Sequence, residues 1–272
     1  MSLDIGDALR SGIDDLTSED GLLVGAVFLL YSLGSLVVNE SLAAELLTLV
    51  FESGVYSAEQ RAAIESFGGG SPFALGVGLP LTALLVVVVA LAGELVRYWA
   101  IRTFAGPAET ATEVFGDRAA MAVVLGGAVA LLTLLLQSVL PVVGQLGGLA
   151  TTLVGSLVGP LAGLVLLTVF VYLRQEIALN DGGYGETVRN SVARFLEDPV
   201  SIIVLLVLLG LFGLLGGLPG LVTGFVGGSG TALTVVSRLL SALLGTVFQV
   251  LGIAVVTDAY LQVRASARES AA

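Results

Sequence analysis

The chain has 272 residues, of which 56% are apolar and 12% are charged, whereas a soluble domain carries about 25% charged residues. A soluble fold of this length cannot hide so much apolar surface, so the composition predicts an integral membrane protein. The absence of Cys and His excludes disulfides, thiolate nucleophiles and imidazole metal ligands, and neither a cofactor nor a resident metal is predicted.

All 11 basic residues are Arg, and 22 acidic residues give a formal net charge of −11. An acidic surface would attract cationic partners or metal ions. Alternatively, it reflects life at molar salt, where a Debye length of about 3 Å screens like charges. The lack of Lys and the heavy use of Ala, Val, Gly and Leu are typical of the acidic proteome of a halophilic archaeon. No basic stripe is present to neutralise phosphates, so nucleic acid is not an expected partner.

Six continuous apolar segments approach the roughly 20 residues that a membrane helix needs. In chain order they are 21–38, 75–96, 119–140, 154–173, 200–215 and 239–257. A β-barrel would need alternating strands of about ten residues, so the segments predict helices. The predicted fold is an all-α membrane protein with six transmembrane helices, a single domain over residues 1–272 embedded in the lipid bilayer.

Nine of the eleven Arg residues lie on one side of the predicted membrane, in the two tails and in the connectors after the second and fourth segments. These are Arg10, Arg97, Arg102, Arg118, Arg174, Arg189, Arg194, Arg264 and Arg268. Only Arg61 and Arg238 fall on the opposite side. The positive-inside rule therefore predicts a multi-pass protein of the cell membrane with both termini cytoplasmic.

Residues 6–13 and 185–192 match position by position in residue type, and residues 109–115 form a looser copy before the third span. Their apolar residues recur at helical spacing: Ile5, Leu9, Ile13 and Leu16 in the first copy, and Val188, Val192 and Phe195 in the later one. Such segments predict amphipathic helices in the membrane interface. We predict three repeats of an amphipathic helix plus a transmembrane hairpin, over residues 1–104, 105–182 and 183–272.

The ends of the even spans also agree, because each carries Tyr close to Arg. The three tyrosines are Tyr98, Tyr172 and Tyr260. Tyr at this position is typical of a membrane-interface anchor.

A family resemblance rests on Glu186, Arg189, Ser191 and Phe195, with residues 177–179 upstream. In this pattern the chain resembles uncharacterised haloarchaeal six-helix integral membrane proteins. It is distantly similar to the membrane domain attached to some glycerophosphodiester phosphodiesterases, but it has Val192 where an aromatic residue often follows the Ser. Because the chain has no catalytic phosphodiesterase domain, the resemblance implies a membrane module and not an activity.

The connectors on the Arg-poor side differ from one another. The polar connector 39–72 predicts two short surface helices, the second begun by a capping box at Ser57–Gln60. It would serve as a lid or partner-binding surface, or as a plain packed loop. Residues 141–160 and 213–230 are uncharged and rich in Gly and Pro, which predicts either re-entrant turns lining a cavity or flexible helix ends. Gly residues spaced by four, at 155, 159, 216, 220, 224 and 228, predict helix packing.

Ionisable residues at the apolar segments are the candidate functional residues. The set is Glu94, Arg97, Arg174, Glu176, Asp258 and Arg264. Around a repeat axis they would ring the cytoplasmic mouth as a proton or cation site; alternatively, they are interfacial ion pairs that end the helices. Gln137 and Gln249 predict interhelical hydrogen bonds, and Arg238 is expected to extend towards the outer interface.

No nucleotide-binding or Ser-nucleophile motif occurs, so the chain is not expected to be an enzyme. The sequence favours a non-enzymatic membrane scaffold or accessory component, with a second copy or another membrane protein as its possible partner. The alternative is a small secondary transporter or channel with a carboxylate-lined cytoplasmic mouth. A water-lined cavity that reaches the membrane midplane beside Glu94 would favour transport, and a solid bundle with its polar residues confined to the interfaces would favour the scaffold.

Overall fold

The computed structural model describes residues 3–54, 56–62, 71–106, 115–140, 149–226 and 231–271, and every long element in these ranges is helical. In chain order the helices are α1 (Ile5–Thr17), α2 (Glu19–Glu52), α3 (Leu79–Ala105), α4 (Phe115–Met121), α5 (Gly127–Leu134), α6 (Leu149–Val169), α7 (Leu173–Leu179), α8 (Tyr184–Glu197), α9 (Pro199–Val226) and α10 (Thr231–Ala271). Two π-helical segments, Ala122–Gly126 and Leu135–Val139, flank α5.

Six stretches are long and apolar enough to cross a membrane. They are Glu19–Glu52, Leu79–Ala105, Gly116–Gln137, Leu157–Leu179, Pro199–Gly220 and Ala232–Ala267. The predicted all-α fold with six spans is confirmed. The backbone amides of Leu3 and Asp4 donate to Asp198 Oδ2 and Gln262 Oε1, so the N-terminal segment, the start of α9 and the end of α10 lie together. We call this end of the bundle the terminal side.

The first span does not end at Asn39 and Glu40, and this part of the prediction is wrong. Helix α2 continues to Glu52, so the first predicted surface helix is the last part of α2. Its polar side chains do not stop the helix because they bind the segment that precedes α3: Glu40, Ser41 and Glu45 accept the backbone N–H groups of Phe73, Leu75 and Gly78 at 2.9–3.1 Å.

The second predicted surface helix begins as expected. Ser57 and Gln60 exchange the two capping-box hydrogen bonds, at 2.9 and 3.3 Å. The sequence also predicts that the glycines at 68–70 stop this helix, and these residues lie outside the described ranges.

The described parts of the two Gly- and Pro-rich connectors, 149–160 and 213–226, are ends of helices and not turns, because α6 continues through Pro160 and α9 through Pro219. Hydroxyl groups of α10 bind the backbone around Pro219: Ser237 Oγ donates to its carbonyl at 2.7 Å, and Ser241 Oγ accepts the Gly220 N–H at 3.1 Å. Residues 141–148 and 227–230 lie outside the described ranges. A Cβ at Gly159 would overlap the Leu136 carbonyl oxygen, which confirms helix packing for that glycine.

The two amphipathic helices α1 and α8 bury the same positions of the matched segments. Ala8 and Gly12 are buried in α1, and Thr187 and Ser191 are buried in α8. A Cβ at Gly12 would overlap the Val255 side chain, so α1 lies directly against α10. The face that contacts protein is therefore centred on small residues, whereas Ile13 of the predicted stripe is 51% exposed. The three-fold repeat of the whole chain stays a prediction.

The three tyrosines predicted as interface anchors lie in the protein core instead. Tyr98, Tyr172 and Tyr260 are at most 2% exposed. The rings of Tyr172 and Tyr260 meet edge to face with centroids 5.4 Å apart, and Arg102 donates to Tyr98 Oη at 3.2 Å. Neighbouring helices cover these side chains, so they do not reach the lipid interface.

Asp198 joins the start of α9 to the N-terminal segment. Its Oδ1 accepts the Ser201 N–H and its Oδ2 accepts the Leu3 N–H, both at 3.2 Å. Burial by itself raises the pKa of Asp198, but the hydrogen bonds from Ser201 and Leu3 outweigh it and lower the pKa.

We expect Asp198→Ala to lower the free energy of unfolding by about 1 kcal/mol, the usual effect of losing a helix cap. Because the folded pKa is lowered, the ionised carboxylate stabilises the fold above its unfolded pKa of about 3.9. That contribution is lost as the pH falls through the folded pKa. Equilibrium unfolding of both proteins at several pH values measures the difference, with the exposed Asp20→Asn as the control. A difference that stays constant from neutral pH to below the folded pKa would contradict this role.

Candidate functional site

Glu94, Arg97 and Arg174 form a buried cluster on the terminal side, which we call the ion triad. The carboxylate of Glu94 accepts from Arg97 at 2.9 Å and from both Nε and Nη2 of Arg174 at 2.7 and 2.8 Å. Glu94 is 1% exposed, whereas the Arg97 and Arg174 side chains are 21% and 25% exposed. Three of the six predicted site residues are therefore in direct contact.

Local backbone features bring these charges together. Glu94 and Arg97 are one turn apart on α3, so both reach the same face. The fourth span turns at residues 170–172 and resumes as the short helix α7, which places Arg174 beside α3. Gly126, in the first π-helical segment, lies against the Glu94 carboxylate so closely that a Cβ would overlap Oε2. The third span can approach the triad only because residue 126 has no side chain.

The ion triad carries an excess of positive charge. It contains one carboxylate and two guanidinium groups, and no other carboxylate of the described residues forms an ion pair with Arg97 or Arg174. Their other close neighbour is the ring of Tyr31, whose centroid is 5.8 Å from the Arg97 guanidinium carbon. At neutral pH the triad therefore has a formal charge of +1 within a membrane-spanning bundle.

An open cavity of about 320 Å³, lined by both polar and apolar side chains, lies between α2, α3 and α10. We call it the triad cavity, because Arg97 forms part of its wall. Its lining residues are Tyr31, Ser32, Ser35, Leu36, Asn39, Arg97, Arg238, Ser241, Ala242 and Gln249. The cavity reaches the partner of Glu94 but not Glu94 itself, which is buried behind Arg97.

Arg238 lies at the end of the triad cavity farther from the terminal side. Its Nε lies 3.1 Å from Glu40 Oε1, so it forms an ion pair across α2 and α10. The expectation that Arg238 extends towards the outer interface did not include this partner. The sequence shows Glu40 at the end of the first apolar segment. Its pairing with Arg238, however, requires α2 to continue past Asn39.

Glu176 belongs to a second buried cluster. It is 1% exposed, accepts from Asn180 Nδ2 at 2.6 Å and lies 3.7 Å from Arg194 Nε on α8. The Asn180 amide also donates to the hydroxyl of Tyr260. The predicted neighbour of Glu176, Arg174, pairs with Glu94 instead. The carboxylates therefore do not form one ring.

Asp258 lies at the contact between α1 and α10. It accepts from Gln262 Nε2 at 2.8 Å. Burial, together with the charges of Asp258 and Asp14, raises the pKa of Asp15 on α1. Arg264 acts electrostatically on Tyr260, and no ion pair between Asp258 and Arg264 is described. These two residues lie apart from the ion triad.

The predicted interhelical hydrogen bonds of Gln137 and Gln249 do not form among the described residues. Gln137 packs against Gly163, and Gln249 lines the triad cavity. Sequence reasoning missed the cavity residues Tyr31, Ser32 and Ser35, although a polar stripe along the first span was visible. The signal was weak because Ser is common in membrane helices as a packing residue.

A protein family described as a domain of unknown function (DUF7847) matches residues 3–263. No curated protein and no solved structure matches the chain.

Proposed function

The chain belongs to the DUF7847 family, a family of unknown function, and we propose that it is a small membrane transporter that binds an anion in the triad cavity. A single observation carries the proposal: the ion triad has one carboxylate for two guanidinium groups, and one of these guanidiniums lines the cavity. An unbalanced charge away from bulk water is unfavourable, and a bound anion would neutralise it.

The position of the triad cavity favours transport over a purely structural role. Residues 31–39 occupy the middle of α2, and this part of the helix contributes Tyr31, Ser32, Ser35 and Asn39 to the cavity. Arg97 and Asn39 carry polar groups that are unfavourable at membrane depth unless they bind a partner or contact water, which supports a ligand-binding role for the cavity. The proposal differs from the sequence-based alternative in the sign of its ligand, because Glu94 and Glu176 are paired with Arg and Asp258 accepts from Gln262.

The test is binding and uptake of a defined anion by the full chain. Purified protein is titrated with inorganic phosphate at constant ionic strength, and uptake of labelled phosphate is measured in vesicles containing the protein. We expect Arg97→Gln to weaken binding by at least about tenfold, because a charge-assisted hydrogen bond is lost. Arg10→Gln, an exposed change on α1, is the matched control.

Phosphate binding and uptake that are the same in the wild type and in Arg97→Gln would overturn the proposal. If no anion binds and none is taken up, the scaffold or accessory role would be the better account. The next experiment would then test whether the protein associates with a second copy of itself or with another membrane protein.

We also propose the membrane orientation of the protein, the kind of organism it comes from and a distant family relation. The Arg distribution supports cytoplasmic termini and a place in the cell membrane. The acidic, Lys-free composition supports a halophilic archaeal origin. The motif around Arg189 supports a distant relation to the membrane domain of glycerophosphodiester phosphodiesterases. We propose no enzymatic activity.

A further inference from the structure

We infer that the ligand of the triad cavity is a small hydroxylated organic anion, of the polyol phosphate or sugar acid class. Its oxyanion group contacts Arg97, and its hydroxyl groups lie along α2 and α10. This inference rests on the proposed function and specifies its ligand.

The charges at the two ends of the triad cavity set the orientation. At one end, Arg97 belongs to a cluster with a formal charge of +1. At the other end, Arg238 is paired with Glu40, so that end is neutral. A ligand with one anionic group and an uncharged polar body fits this distribution, whereas a ligand charged at both ends does not.

The size of the triad cavity exceeds what an inorganic ion fills. Its volume of about 320 Å³ equals that of roughly ten water molecules in the liquid. The lining residues extend from Tyr31 to Asn39 on α2 and from Arg238 to Gln249 on α10. At a rise of 1.5 Å per residue these stretches are about 12 and 16 Å long. The shape therefore favours an elongated molecule.

The polar groups that line the triad cavity match hydroxyl groups. Ser35 Oγ accepts from Asn39, whereas the Gln249 side chain, at the Arg97 end of the α10 lining, has no hydrogen-bond partner among the described residues. An amide both donates and accepts hydrogen bonds, as does an alcohol, but a phosphate oxygen mainly accepts. A phosphate ion can therefore use only the NH2 group of Gln249, whereas a polyol phosphate can also donate to its carbonyl oxygen.

The experiment compares three soluble probes by titration of the purified full chain: glycerol 3-phosphate, inorganic phosphate and glycerol. We expect glycerol 3-phosphate to bind more tightly than phosphate, and glycerol not to bind measurably. Arg97→Gln should weaken the binding of both anions. Gln249→Leu, which keeps a similar volume, should weaken the binding of glycerol 3-phosphate roughly fivefold more than the binding of phosphate, the effect of one additional hydrogen bond.

A glycerol phosphate group is also the headgroup of an anionic lipid. The same proteins are therefore assayed in phosphatidylcholine nanodiscs with and without phosphatidylglycerol. Displacement of glycerol 3-phosphate by phosphatidylglycerol, lost in Arg97→Gln, would assign the site to the lipid headgroup. No displacement would assign it to a soluble solute, and either result supports the ligand class.

Two results would overturn the inference and are distinguishable from each other. If phosphate and glycerol 3-phosphate bind equally, and both depend on Arg97 and to the same extent on Gln249, the ligand class is wrong and the anion transporter stands. If no probe shows binding that depends on Arg97, both the ligand class and the proposed function fail. A change at Gln249 that unfolds the protein would be detected by circular dichroism, and Gln249→Asn then replaces it.

Discussion

Replacing Glu94 with Gln is expected to lower the free energy of unfolding by about 3–5 kcal/mol, which is the cost of breaking a buried ion pair and leaving its partners charged. The Glu94 carboxylate accepts three hydrogen bonds from Arg97 and Arg174 and is 1% exposed. The amide of Gln would remove the only negative charge between the two guanidiniums. Equilibrium unfolding in mixed micelles, followed by circular dichroism, measures the loss.

Arg97→Gln is the matched comparison, because it changes the same cluster in the opposite direction. It leaves the two hydrogen bonds between Arg174 and Glu94 and brings the triad to a formal charge of zero. We expect a cost of about 1 kcal/mol or less, the net value of one hydrogen bond. If Arg97→Gln destabilises the protein as much as Glu94→Gln, the triad does not carry excess positive charge. The argument for anion binding would then lose its basis as well.

The six spans could be predicted because a membrane helix depends on a single physical quantity, the length of continuous apolar sequence. The ends of the spans could not, because they depend on partners distant in sequence. Glu40 and Ser41 look like a stop signal in the sequence, yet they lie within α2 and bind backbone amides at residues 73 and 75. Similarly, α9 continues through Pro219 because hydroxyl groups of α10 bind the surrounding backbone.

The candidate site was only partly visible in the sequence. Glu94 and Arg97 are one turn apart, so their pairing follows from helix geometry. The pairing of Arg174 with Glu94 depends on the turn at residues 170–172, which has no Pro or Gly to mark it. The triad cavity depends on how α2 and α10 pack. For this reason the sequence indicated carboxylates as the functional groups, whereas the structure exposes a guanidinium to the cavity.

The two core tyrosines Tyr172 and Tyr260 are expected to respond differently to loss of their hydroxyl groups. Both are fully buried and their rings are in contact. The Tyr260 hydroxyl accepts from the Asn180 amide, which also donates to Glu176. The Tyr172 hydroxyl has no hydrogen-bond partner among the described residues. The matched pair therefore separates hydrogen bonding from ring packing.

We expect Tyr260→Phe to lower the free energy of unfolding by about 0.5–1.5 kcal/mol, because the buried Asn180 amide loses a hydrogen-bond acceptor. Tyr172→Phe is expected to be neutral or slightly stabilising, since it removes a hydroxyl that is buried without a protein partner. Unfolding in the same micelle system measures both. Equal effects in the two variants would mean that the Tyr260 hydroxyl contributes nothing beyond its ring. In that case the pair between Glu176 and Arg194, 3.7 Å apart, would be what keeps that carboxylate buried on the terminal side.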